Sequence, residues 1–305
     1  MQTKQQIRQL LESAGVRPNK RLGQHYLIDL NLMRLLIESA AITRKDTVLE
    51  VGCGTGSLTE AIAEKAGFCA AVEIDDTTVQ IAREQLGGAD NIEIIHGDIL
   101  KTKNVLSPKV VEVLQRRCKG LGGRLLLVSN LPYNVAAAVM INLVTGPAAA
   151  DGMYVTVQKE VAERMVASPG GSEYGTLSIY LNATGEVGII RILKPTVFWP
   201  QPQVDSAMVG FVRNEEKARR IRDMKLFVRV VSLFFGHRRK MVKSCIKFAD
   251  GRLKDIDDWT EIFAKASVEA NSRPEELGSG QYVAMANLCS ERLEEKGRDA
   301  YERDE

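Results

Sequence analysis

Thr47-Val48-Leu49-Glu50-Val51-Gly52-Cys53-Gly54-Thr55-Gly56-Ser57-Leu58-Thr59 changes character halfway along. Its first five residues are mostly β-branched or aliphatic, the pattern of a strand buried on both faces. Three glycines in alternate positions follow at once, leading into a helix that runs to about Ala66. Glycine at a strand-to-helix turn takes backbone conformations that a Cβ forbids and lets the main chain approach a ligand closely. Strand, glycine turn and helix together open a βαβ unit, so the chain is expected to build a doubly wound, Rossmann-like α/β sheet.

The units that follow repeat the pattern. Phe68 to Asp75 reads as a second strand with Glu73 near its end, about twenty residues beyond the glycines, where a carboxylate can accept from ribose hydroxyls. Ile92 to Asp98 reads as a third, and Asp98 at its end can accept from an adenine amine. Either acid alone is equally a helix cap or a surface charge; their order after the glycines favours a nucleoside-containing ligand. Arg124 to Asn134 is an apolar run that stops at Asn130-Leu131-Pro132-Tyr133. In open α/β sheets ligands bind just beyond the carboxyl ends of the strands. There Asn130 offers a carboxamide oxygen, Pro132 stiffens the turn and Tyr133 supplies a flat π-face, a set suited to a planar base with an exocyclic amine. The glycines at 52, 54 and 56 with Ser57 in the sixth position do not meet the dinucleotide fingerprint, which needs its third glycine there.

Asp29 is placed to cap a helix over 30–40. Further helices are expected over 134–144 and 158–167, a fifth strand over 153–157, and the last two strands over 185–193 and 204–212. Between these last two, Pro200 and Pro202 are expected to hold Phe198 and Trp199 in a stiff loop outside the core, where they can complete a base clamp with Tyr133. From about Glu215 the periodicity is helical, over 223–235, 238–248, 258–270 and 274–289, which predicts a small all-helical C-terminal domain. The expected divisions are a basic arm over 1–28, the α/β domain over 29–213, the helical domain over 214–290 and a charged tail over 291–305, expected to be disordered.

The chain has 305 residues, 45% of them hydrophobic, enough for a full α/β domain and a smaller one. No apolar run reaches the length of a membrane span, and Met1 to Leu11 lacks a secretory apolar segment, so a cytoplasmic protein without membrane contact is expected. Five scattered cysteines lack metal-ligand spacing and suit a reducing compartment; neither a metal nor a disulfide is expected. A net charge of +2 hides a segment, Arg213 to Phe248, with twelve basic and three acidic residues. Such a run is either a solvated face or an RNA-contacting surface.

Arg21-Leu-Gly-Gln-His-Tyr-Leu-Ile-Asp29, Glu50-Val-Gly-Cys-Gly-Thr-Gly56, Asn130-Leu-Pro-Tyr-Asn134, Phe198-Trp-Pro-Gln-Pro-Gln-Val-Asp-Ser-Ala207 and Phe235-Gly-His-Arg-Arg-Lys240 resemble the ribosomal RNA adenine N6-dimethyltransferase family, in the family's order. The glycine turn likewise resembles the S-adenosylmethionine loop of doubly wound methyltransferases. The resemblance implies S-adenosylmethionine as cofactor, in a pocket lined by His25, Leu27, Gly52, Gly54, Glu73, Asp98 and Asn130. It implies catalysis at Asn130, Leu131, Pro132 and Tyr133, with the target adenosine flipped out and stacked between Tyr133 and Phe198. Arg238, Arg239 and Lys240 would meet rRNA phosphates. Val204-Asp205-Ser206-Ala207 is closer to the branch that dimethylates two adjacent adenosines near the 3′ end of small-subunit rRNA, which implies an immature small ribosomal subunit as partner; the sequence carries no sign of oligomerisation, so a monomer is the default expectation. Cys53, Ser244 and Val135-Ala-Ala-Ala138 depart from that branch's usual residues. Two other functions stay open at this point: a large-subunit rRNA dimethyltransferase of the macrolide-resistance type, and a non-catalytic RNA-binding assembly or transcription factor.

Overall fold

The computed structural model describes residues 1–19 and 22–302, with side chains through 296. Arg21 of the first motif and the last three residues of the charged tail lie outside them. Along the chain come α1 (Lys4–Ser13), β1 (Tyr26–Leu27), α2 (Leu30–Ser39), β2 (Thr47–Val51), α3 (Ser57–Ala63), β3 (Phe68–Glu73), α4 (Asp76–Leu86) and β4 (Ile92–His96). A small hairpin, β5 (Leu100–Thr102) and β6 (Val105–Leu106), leads to α5 (Pro108–Leu121), β7 (Leu125–Asn130), α6 (Ala136–Thr145), β8 (Gly152–Gln158), α7 (Lys159–Val166) and α8 (Thr176–Thr184). Then follow β9 (Gly185–Leu193), β10 (Phe198–Trp199), β11 (Ser206–Arg213), α9 (Glu215–Arg219), α10 (Met224–Phe235), α11 (Val242–Cys245), α12 (Trp259–Lys265) and α13 (Ser279–Glu302).

Seven strands form one sheet in the order β4-β3-β2-β7-β8-β11-β9. β2, β3, β4, β7 and β8 are parallel, and β11 runs antiparallel to β8. Parallel strands carry helices on both faces, so β2, β3 and most of β7 are buried along their length, as their apolar runs require. The order reverses between β2 and β7. Their pairing ends at Leu49 opposite Leu127, and beyond it the Ser129 hydroxyl donates to the Val51 carbonyl at 2.7 Å. A crevice opens at such a switch point, between the glycine turn after β2 and the Asn130 end of β7. Helix starts follow local chemistry: the Asp29 carboxylate accepts from Asn31 N and Leu32 N at 2.9 and 3.1 Å, and Asp75 caps α4 the same way.

The chain's contacts divide it into Met1–Ala162 with Val187–Arg213, and Glu163–Glu186 with Asn214–Glu305. The helical unit therefore takes in 163–186, upstream of the expected boundary, and the arm is part of the α/β unit: Ile7 and Leu11 of α1 pack with Ile81 of α4. In the helical unit the Phe234 ring meets Trp259, Phe263 and Tyr282 edge-on at centroid distances of 5.8, 6.1 and 6.4 Å.

Two expected helical features differ. Residues 238–248 are a turn, the single helical turn α11 and a 3-10 turn over Ile246–Phe248. Val242 N and Lys243 N donate outward, to Ser272 O and Ala270 O at 2.9 and 3.2 Å, and so are unavailable to a continuous helix. The charged stretch after Glu291 is not disordered through 302 but prolongs α13. Two of its cations meet carboxylates: Arg292 pairs with Glu261, and Lys296 with Asp257 at 2.9 Å.

Candidate active site

The crevice is a cleft of about 850 Å³ counted out to its open mouth. His25, Gly52, Gly54, Glu73, Asp98, Asn130, Leu131, Pro132 and Tyr133 all line it, so motifs separated by more than a hundred residues meet there. The glycines are demanded by close approach. Gly52 and Gly54 have φ of +76° and +55°, and a Cβ on them would lie 2.9 Å from Pro132 Cγ and 2.7 Å from the Tyr26 ring.

Glu73 is 5% exposed. One oxygen accepts from Gly54 N at 2.8 Å, the other from Ile74 N and Asp75 N at 2.8 and 3.0 Å. Burial raises its pKa above the ordinary carboxylate value, the three N–H donors oppose that rise, and the Asp75 charge adds to it. Behind the turn, Glu50 is buried and its pKa is pushed up to about 8, by burial first, against the Thr59 hydroxyl that donates to it at 2.6 Å. Glu50 is thus a neutral acid near pH 7. Asp98 is exposed and uses Oδ1 to accept from Leu100 N at 2.8 Å.

Asn130 is held from both ends: Nδ2 donates to the His25 carbonyl at 2.6 Å, and Oδ1 accepts from the Thr156 hydroxyl. A carboxamide oxygen has two lone pairs, so one remains for a ligand N–H. Thr156 stands opposite Asn130 in the β7–β8 register, information that neither residue's sequence neighbourhood carries. The Tyr133 hydroxyl bonds Ser206 Oγ at 2.9 Å, and its ring stacks with that of His25 at 5.6 Å between centroids. His25 Nδ1 lies 2.7 Å from the Pro200 carbonyl, which only accepts, so that nitrogen carries the proton.

One expected site residue lies elsewhere. Phe198 is 1% exposed and belongs to the core with Met33, Leu36 and Leu58. β10 pairs with β1, Leu27 opposite Phe198, and the ladder turns both side chains inward. Leu27 is buried in the same core but also lines a smaller cavity with Gly52 and Asn130, while Tyr26, on the other face of β1, lines the main cleft. Gln2 is a contributor that sequence reasoning misses: its backbone N–H donates to Ser57 Oγ at 2.7 Å and its side chain exchanges hydrogen bonds with Thr55. Nothing in the residue types near Gln2 signals that contact.

The cleft suits an adenosine-bearing cofactor. It offers glycines that bare the backbone and carboxylates at two strand ends. Gln24 Nε2 and the Tyr26 hydroxyl, in its wall, are buried without a partner among the described residues.

In the helical unit, Arg238 is tied to Glu275 by two contacts of 3.1 and 3.0 Å. Arg239 and Lys240 are exposed, and no carboxylate pairs with them among the described residues.

Residues 15–288 match the model of the ribosomal RNA adenine dimethylase family. The chain is 34% identical over 282 residues to a ribosomal RNA small subunit methyltransferase A of Pelotomaculum thermopropionicum, covering 92% of this chain and 94% of that one. It is 31% identical over 281 residues to the protein of that name in Ligilactobacillus salivarius, covering 92% and 93%. The fold is shared with a dimethyladenosine transferase from Plasmodium falciparum at a TM-score of 0.69, with 20% identity and coverage of 87% and 98%. It is also shared with the 23S rRNA methyltransferase ErmE at 0.58, with 21% identity and coverage of 88% and 99%. The chain belongs to the ribosomal RNA adenine dimethylase family.

Proposed function

We propose that this chain dimethylates the exocyclic N6 amines of two adjacent adenosines in the 3′-terminal hairpin loop of small-subunit rRNA, using S-adenosylmethionine, during assembly of the small ribosomal subunit. The observation that carries the reading is one cleft shared by Glu73 and Asp98 on one side and Asn130 to Tyr133 on the other. The name borne by the similar bacterial proteins favours the small-subunit substrate over the large-subunit one.

Gly52, Gly54, Glu73 and Asp98 would hold the cofactor: Glu73 through the oxygen lone pair its three backbone donors leave free, Asp98 through its second oxygen. Bound there, S-adenosylmethionine supplies a methyl group on an electrophilic sulfonium. The adenine amine is a poor nucleophile because its lone pair is delocalised into the ring. With the base turned out of its RNA loop, Asn130 Oδ1 and the Leu131 carbonyl accept from the amine and concentrate that lone pair toward the methyl. Tyr133, flanked by His25, supplies the stacking face; buried Phe198 does not. Positioning is the main source of rate, and the displaced amine proton passes to water without a strong base.

The test is to incubate the chain with methyl-labelled S-adenosylmethionine and either unmethylated small-subunit particles or large-subunit rRNA, then digest to nucleosides. Labelled dimethyladenosine from the small-subunit particles alone is the expected result. Label confined to the large-subunit RNA, or absent from both, overturns the reading.

A further inference from the structure

The helical unit carries an aromatic ring where solubility alone would not place one. Phe248, at the end of the 3-10 turn after α11, is 46% exposed, while Val242 and Cys245 just before it are fully buried. The His237 ring stacks on Phe248 at 3.8 Å between centroids and 27° between planes, and Lys240 Nζ sits 5.5 Å from the Phe248 centroid. The pair is built on a fixed turn. The His237 carbonyl accepts from Lys240 N at 2.8 Å and lies 3.8 Å from the Cys245 thiol, and Val242 N is tied to Ser272 O at 2.9 Å. Lys240 and its neighbours along the same turn, Arg239, Lys243 and Lys247, are all exposed, and none pairs with a carboxylate among the described residues.

A single exposed apolar side chain is ordinary. An aromatic pair on a turn that carries four cations without carboxylate partners is what single-stranded nucleic acid selects, because every base has a π-face and every linkage a phosphate charge. A protein partner would need carboxylates for those four cations; RNA brings its charge at regular intervals along the backbone.

We propose that Phe248, backed by His237, is a stacking platform for one unpaired base of the RNA substrate, with Arg239, Lys240, Lys243 and Lys247 taking the flanking phosphates. This rests on the RNA-methylating reading above and adds a base-contacting residue outside the methyl-transfer cleft. Stacking and phosphate contact separate by salt. Removing the ring lowers affinity and leaves the slope of log affinity against log salt unchanged, whereas removing a phosphate contact changes the slope.

The experiment titrates the full chain and its Phe248→Leu and Phe248→Trp variants with a labelled stem-loop RNA bearing an adenine-containing single-stranded loop, at several salt concentrations. A blunt RNA duplex of the same length serves as control. Circular dichroism melting of each variant checks the fold, and the exposure of the ring makes unfolding an unexpected result. The expected outcome is a loss of about fivefold to a hundredfold for Phe248→Leu on the stem-loop only, with the salt slope kept, and near-normal binding by Phe248→Trp. Wild-type affinity in a folded Phe248→Leu variant overturns the platform and leaves the surface to a protein contact or to solvent. A wild-type chain with no salt-dependent RNA binding overturns the RNA reading of this unit itself.

Discussion

Asn130 donates its side-chain N–H to the His25 carbonyl across 2.6 Å, so the end of β7 and the segment before β1 are joined at the mouth of the cleft. The same side chain presents the oxygen that, in the proposed reaction, accepts from the target amine. Asn130→Ala therefore removes two things at once. We expect the methyl-transfer rate to fall about a hundredfold or more, by analogy with the loss of one oriented transition-state hydrogen bond. Cofactor affinity should fall only a few-fold, through the loosened His25 segment. Single-turnover transfer and calorimetric cofactor binding read the two separately, and comparable turnover in the variant would remove Asn130 from the role given it.

Thr156 isolates the orienting contribution. Thr156→Val keeps the shape of the side chain and deletes the hydroxyl that donates to Asn130 Oδ1. The carboxamide then loses one of its two anchors. A drop of about tenfold in turnover with unchanged cofactor affinity is expected, the effect of one net hydrogen bond of about 1 kcal/mol amplified by misorientation. Equal losses in turnover and cofactor affinity would point to collapse of the wall instead.

The Gly54 position joins conformation to sterics. Its φ of +55° costs a non-glycine residue about 1–2 kcal/mol. A methyl there would also meet the Tyr26 ring at 2.7 Å. We expect Gly54→Ala to weaken cofactor binding and to lower stability by about 2–5 kcal/mol, the sum of strain and overpacking. Adding Tyr26→Leu, which removes the clashing ring atoms, should restore part of the stability, leaving the backbone cost. Thermal melts of the single and double variants check this; a Gly54→Ala melt equal to wild type would show that the turn tolerates a Cβ.

Much of this site is legible in the residues because its parts are local. The Gly52 to Gly56 turn, the strand ends at Glu73 and Asp98, the Asp29 cap and Asn130 to Tyr133 each lie within a few residues of the feature that announces them. What is not legible depends on pairing across the chain. Phe198 reads as a loop aromatic because Pro200 and Pro202 surround it, yet its burial follows from a ladder with Leu27, some 170 residues earlier. Thr156 joins Asn130 only through the β7–β8 register. Residues 238–248 keep helical periodicity, but Ser272 and Ala270 take two of the N–H groups. Periodicity records which residues suit a helix, and distant acceptors decide whether the helix continues.

Glu50 gives the fold a pH dependence whose sign can be worked out. Its carboxyl ionises near 4.5 when free and near 8 in the folded chain, because burial disfavours the charge and Glu73 adds repulsion, against the Thr59 hydrogen bond. Between those values the folded chain holds a proton that the unfolded chain has released. The stabilisation is fully present below about pH 4.5 and is lost as pH rises through about 8. From about pH 6 to about pH 8, wild type should lose roughly 2–3 kcal/mol more than Glu50→Gln, which keeps an oxygen for the Thr59 hydroxyl and has no proton to lose. Denaturant melts of both proteins across that window are the check; parallel curves would mean Glu50 ionises normally.

The basic turn separates by the partners its residues already have. Arg238 is held by Glu275 at 3.0 Å, whereas Arg239 and Lys240 have no carboxylate partner among the described residues. A free cation releases about one counterion's worth of salt dependence when it meets a phosphate. A cation already neutralised by a carboxylate gains less, since contact with RNA must compete with the existing pair. Arg239→Ala and Lys240→Ala should each reduce the slope of log affinity against log salt by about 0.7–0.9. Arg238→Ala should reduce it by less, because a guanidinium already paired with Glu275 contributes less counterion release on meeting a phosphate. Fluorescence titrations of RNA at several salt concentrations distinguish these cases, and equal slope changes for all three variants would show that the Arg238–Glu275 pair opens on binding.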